Sequence, residues 1–195
     1  MKTNSYRFFA LGAVMVNLVA APMVTSQTER FSASLAGGNE VPPINSAGTA
    51  AFEMTIRDTI TFSLTFSGLS SPLTVSHLHF APSKVAGGVM IFLCGGGNQP
   101  ACPAATSGTI TGTITAANVT GPGGQGITPG DLDSALVAVR SDLSYANMHT
   151  TMFTGGEIRG NVQRGGGTVT LATNRGIGQG ASRASSVSPV RVSGF

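Results

Sequence analysis

The chain has 195 residues, a length suited to one domain with extensions. Charged residues make up only 10% and there is no Trp, while Gly, at 27 residues, is about twice its usual share of ~7%. This composition excludes a helical bundle or coiled coil, which needs Ala, Leu, Glu and Lys in quantity. An apolar share of 41% with a formal charge of +3 excludes wholesale disorder.

Residues 1–26 read as a signal peptide. Lys2 and Arg7 form the basic start, and residues 8–21 (FFALGAVMVNLVAA) are an apolar run. Small residues lead to a cut ahead of Gln27. The run contains Asn17 and is shorter than the ~20 residues a membrane-spanning helix needs. Removing Lys2 and Arg7 leaves nine basic residues against eight acidic ones, a net charge of +1. The basic pI is therefore no nucleic-acid signal, and no basic patch or aromatic platform supports one. No later stretch is expected to span a membrane.

From Arg30 the apolar period is two. Phe31, Ala33 and Leu35 alternate with Ser32 and Ser34. Residues 50–56 and 60–66 alternate likewise on either side of Asp58, which predicts a hairpin. Further strands are expected at residues 73–81, 89–93, 109–116, 145–150 and 157–162, with a possible last strand at 168–172. One segment departs from this period. Thr128, Pro129 and Asp131 have the form of a helix start, and Leu132, Leu136, Val139 and Leu143 recur at helical spacing. This predicts a short helix over 129–141, with Thr128 as its cap. Seven or eight short strands predict an all-β antiparallel sandwich or barrel over residues 27–163. Residues 164–195 read as a flexible Gly/Ser/Arg tail.

Cys94 and Cys102 are the only cysteines. In an exported chain the pair is expected to form a disulfide.

The chain resembles the CHRD domain family, named for chordin and also found as a stand-alone exported module in microbes. Four stretches carry the resemblance in order: residues 31–43 (FSASLAGGNEVPP), 75–80 (VSHLHF), the Gly-rich bridge 112–131, and 145–162 (YANMHTTMFTGGEIRGNV). It implies an immunoglobulin-like β-barrel distantly similar to copper–zinc superoxide dismutase, and for chordin-type domains an extracellular binding role.

All three histidines of the chain fall in expected strands. His77 and His79, at i and i+2, project to one face, ~6.6 Å apart along the strand. His149 shares parity with Tyr145 and Asn147. A His-x-His pair with one distant His is the donor set of a mononuclear zinc or copper site. The competing reading is that each imidazole hydrogen-bonds a neighbour. Three histidines are too few for a dinuclear copper–zinc centre. Glu157 and Arg159 share a strand face, either paired with each other or with a neighbouring strand, and Arg159 is a candidate support for His149. Glu40 lies in a turn set by Pro42 and Pro43, where it caps a backbone group or meets Arg159. Ser76 beside His77 is no nucleophile–base pair, because adjacent strand residues face opposite ways. No hydrolase elbow or phosphate loop is present.

The leading expectation is thus a secreted, periplasmic or cell-surface binding module, non-enzymatic, for an extracellular protein or surface ligand. The second is a mononuclear protein holding one copper or zinc ion on His77, His79 and His149, with a redox or metal-handling role. A third is self-association through sheet edges.

Overall fold

A computed structural model describes residues 27–165. The expected signal peptide, and the strand and tail expected after residue 165, lie outside the described residues. Among those described, no helix is long and apolar enough to cross a membrane.

The order of elements is β1 (Glu29–Ala36), β2 (Thr49–Ile56), β3 (Ile60–Ser67), β4 (Leu73–Phe80), β5 (Gly88–Cys94), β6 (Gly108–Ile114), α1 (Leu132–Arg140), β7 (Ser144–Thr150), β8 (Ile158–Asn161) and β9 (Gln163–Arg164). The strands form one antiparallel sheet in the order β5-β4-β7-β8-β1-β2-β3-β6, and β9 also pairs with β1. The all-β expectation holds, with one short helix in a nearly closed barrel.

The period of two explains the interior. Phe31, Ala33 and Leu35 of β1, Phe52 and Met54 of β2, and Phe62, Leu64 and Phe66 of β3 are buried together. Leu78, Met90, Leu93, Met148 and Ile158 complete the core from the other half of the sheet. Between them, Ser32, Ser34, Thr61, Thr65, Thr109, Thr111 and Thr113 face solvent. The helix packs Ala135, Leu136, Ala138 and Val139 against this core.

The two edge strands, β5 and β6, are joined through the loop that the disulfide closes. Cys94 and Cys102 are bonded, with Cα atoms 5.0 Å apart. Asn98 donates to Ala117 O, Gln99 to Thr113 O, and Asn118 to Gly97 O. An isolated bridge links Ile91 to Val119. The bond to Thr113 O lies on the outer edge of β6 and the Ile91 bridge on that of β5. These bonds also bury Asn118, the acceptor of the only Asn-x-Thr sequon in this stretch, with its amide spent on Gly97. On the chain-entropy account, closing so short a loop contributes roughly 2.5 kcal/mol. Cys94→Ala/Cys102→Ala is therefore expected to lower the melting temperature by about 5–10 °C. Thermal unfolding followed by circular dichroism checks this, and an unchanged melting temperature would refute it.

The helix starts later than its sequence suggests. Asp131, not Thr128, caps it, accepting from Ser134 N at 3.0 Å. Gly130 sits at φ +85° and donates its N–H to Val119 O, so the helical turn cannot begin before it. Beyond the helix, Glu29 pairs with Arg140 at 2.6 Å and with Arg164 at 2.9 Å, tying α1 and β9 to the first residue of β1. Arg164, expected in the tail, is thus part of the sheet.

Candidate metal centre

The half-sheet β4-β7-β8 has two buried faces. Leu78, Ala146 and Met148 point into the barrel. On the other face, the register sets Val75 opposite His149, His77 opposite Asn147 and His79 opposite Tyr145. Asn147 in turn pairs with Arg159 of β8. Alternation along three strands therefore gathers His77, His79, His149, Tyr145, Asn147 and Arg159 on one polar surface. That surface does not meet water. Loop residues Glu40, Val85, Gly87 and Thr154 all bond to its side chains. The three histidines are only 6%, 8% and 9% exposed in chain order.

The three imidazoles lie close together. Ring centroids lie 4.7 Å apart for His77 and His79, 4.7 Å for His77 and His149, and 6.4 Å for His79 and His149. One ring nitrogen from each lies within 4.8 Å of the others. A carbonyl oxygen can only accept, which fixes the tautomers. His79 Nδ1 faces Gly87 O at 2.9 Å and His149 Nδ1 faces Thr154 O at 2.9 Å, so both Nδ1 atoms carry the proton. Their Nε2 atoms then present lone pairs. His79 Nε2 accepts a hydrogen bond from His77 Nδ1–H at 2.9 Å. His149 Nε2 is buried and has no hydrogen-bond partner among the described residues.

Burial is the chief reason all three rings stay neutral. It pushes His77 down to about 3, helped by His79 and His149. It pushes His79 down to about 4 against the opposing pull of the Gly87 carbonyl. It also lowers His149, although Thr154 O and the Glu40 carboxylate act the other way. Neutral imidazole is the form that ligates a metal, so no ring has to lose a net proton at neutral pH, and His77 would only have to switch tautomer to free its Nδ1. An ion with bonds of about 2.0–2.1 Å holds tetrahedral ligand nitrogens roughly 3.4 Å apart. The observed nitrogens bracket that spacing, and the His77–His79 hydrogen bond is the contact that an ion would replace. Carbonyl-held Nδ1–H groups with Nε2 directed inward are the usual outer support of metal-bound histidines.

Around the rings lie Tyr145 and Arg159, both already placed near His149 by the sequence, and Phe92, which the sequence did not point to. The Tyr145 ring stacks on His79 at 4.6 Å, with planes 3° apart. The Arg159 guanidinium covers the Tyr145 ring at 4.3 Å. Phe92 meets His77 edge-on at 5.1 Å. Strand parity with His149 pointed to Tyr145, but nothing local signals the carbonyls of Gly87 and Thr154.

Glu157 and Arg159 do not pair with each other. Glu157 lies one residue before β8 and accepts from Ser46, from Ser70 N and Oγ, and from Thr150. Burial alone would raise its carboxyl, but those bonds outweigh it and hold the group below the usual range. Arg159 Nε instead binds Glu40 at 2.7 Å, the second of the two roles expected for Glu40, and its Nη1 donates to Val85 O. Asn147 donates to the other Glu40 oxygen. Gly156, at φ +123°, lets the chain pass this cluster. A Cβ there would lie 2.8 Å from Glu40 Oε1 and 2.9 Å from Asn147 Nδ2. The carboxylates of Glu40 and Glu157 are thus both engaged. Ser76, buried, donates to Asn147 O and faces away from the rings.

No curated protein and no solved structure matches the chain. The family model described as CHRD domain matches residues 31–162, which takes in β2 to β8, most of β1 and all three histidines. The match covers more than half of the chain, and the chain belongs to the CHRD domain family.

Proposed function

We propose that this CHRD domain is an exported metal-binding module that holds one transition-metal ion on His77, His79 and His149. The observation that carries the reading is His149 Nε2, a buried lone pair with no partner, directed at two other imidazoles. A buried acceptor left unpaired costs roughly 1–3 kcal/mol, and a bound ion would remove that cost. The nitrogens lie at a separation an ion can span, and the three rings are neutral, with only His77 having to switch tautomer. Three protein ligands leave one position of a tetrahedron for a water or an external donor. The disulfide fits a secreted, periplasmic or cell-surface location.

The His77–His79 hydrogen bond favours a second reading, in which the cluster is purely structural and the domain is a non-enzymatic module for an extracellular protein or surface ligand. Metal content separates the two. The chain without a His tag is stripped with chelator, then given copper or zinc. The expected result is one equivalent retained, abolished by His79→Ala and His149→Ala, with a gain of about 2.7 kcal/mol in stability when the free ion is at 100 times its Kd. No retained ion would overturn the reading. In that case His149→Phe, which removes the unpaired nitrogen, would be neutral or stabilising.

A further inference from the structure

We propose that the trihistidine site selects copper in its univalent state, Cu(I), over the divalent zinc ion, an inference that rests on the metal-binding reading above. The argument is one of charge. All three donors are neutral imidazoles, and every carboxylate near them is already committed. Glu40 is held by Arg159 and Asn147. Glu157 is held by Ser46, Ser70 and Thr150. The nearest fixed cation, Arg159, lies one ring away, stacked on the Tyr145 that itself stacks on His79. An ion entering this space finds no negative ligand.

The cost of taking an ion out of water grows with the square of its charge, so a divalent ion meets about four times the penalty of a univalent one. Buried divalent ions are ordinarily offset by thiolates, carboxylates or a bound hydroxide. The site offers none from the protein. Zinc in structural sites takes four ligands, and no fourth side chain converges with the three imidazoles among the described residues. A univalent d10 ion is satisfied by three nitrogen donors. Thiol capture does not confuse the assignment, because both cysteines are in the disulfide. Among the described residues Met152 is the exposed thioether, which makes it a necessary control.

The test uses the chain from Gln27 onward, without tag and with its disulfide intact. Under anaerobic conditions with ascorbate, the protein competes with bicinchoninate for Cu(I). In parallel it competes with a chromogenic chelator for Zn(II). The expected result is one equivalent of Cu(I) bound about 100-fold or more tighter than Zn(II), a gap of about 2.7 kcal/mol. His149→Ala should remove the Cu(I) site, with an unchanged circular dichroism spectrum showing that the barrel persists, and Met152→Leu should leave it intact. Equal or tighter Zn(II) binding would overturn the selectivity while leaving the metal-binding reading standing. Binding of neither ion would overturn both. Loss of Cu(I) on Met152→Leu alone would move the copper to the surface and overturn the assignment.

Discussion

Glu40→Ala is expected to destabilise the fold by about 3–5 kcal/mol, lowering the melting temperature by roughly 10–20 °C. The ion pair with Arg159 is nearly dry, with side-chain exposures of 4% for Glu40 and 6% for Arg159. Removing the carboxylate strands a guanidinium that cannot neutralise itself and leaves only Val85 O within its reach. It also removes the nearer of the two acceptors of Asn147 Nδ2, leaving Ile158 O at 3.4 Å; Asn147 is the residue across the ladder from both His77 and Arg159. The damage should spread to the histidine face, since Arg159 also covers Tyr145 and Tyr145 covers His79. Adding Arg159→Met to Glu40→Ala removes the stranded charge, so the double variant is expected to recover part of the loss. A double variant that melts below both single variants would show that the pair is not coupled in this way.

Those partners lie far apart in sequence, and this distance decides what was legible. In β1, β2 and β3, one face meets a greasy interior and the other meets water, so apolar and hydroxyl residues alternate and the strands can be read directly. In β7 every residue is buried, from Ser144 to Thr150. A segment such as SYANMHT looks half exposed because its polar side chains are expected to face solvent. They are instead covered by Glu40, more than 100 residues earlier, and by Thr154, five residues later. Period-two reasoning could put His149 on the face of Tyr145 and Asn147, but it could not show that this face is roofed. Of the two arrangements open to Glu157 and Arg159, pairing with each other is not the one formed. Glu157 does reach Thr150 of the neighbouring β7, but its bonds to Ser46 and Ser70, and those of Arg159 to Glu40 and Val85, are to distant loops whose positions no local pattern records. The helix start failed through backbone geometry: Thr128 has cap chemistry, but the left-handed Gly130 moves the cap to Asp131.

Acid should unfold this domain well before ordinary carboxylate titration would. In the unfolded chain each histidine takes up a proton near pH 6.5. In the fold, burial holds His77 near 3 and His79 near 4, and lowers His149 as well. Between those limits the unfolded state binds more protons than the native state, so stability rises with pH and falls as pH drops. The contribution is fully present above about pH 6.5 and is lost progressively toward pH 3–4. At about 1.4 kcal/mol per unit, His77 alone represents a loss approaching 5 kcal/mol, and His79 about 3 kcal/mol. Adjacent cations repel, so the three rings titrate as a coupled set and the two figures are an upper bound on their joint effect. Even half of that total, about 4 kcal/mol, comes close to the lower end of the 5–15 kcal/mol that holds a typical domain together. Below about pH 4.5, protonation of Glu157, held low by its hydrogen bonds, adds a further loss of the same sign. Measured with chelator present, the melting temperature should be flat from pH 8 to 7 and fall steeply between pH 6 and 4. His77→Gln, which removes the most strongly shifted ring, should flatten the upper part of that fall. A wild-type melting temperature that holds steady from pH 7 to 4.5 would mean that protons reach the rings in the folded state, and that the polar face of β4, β7 and β8 is open to water.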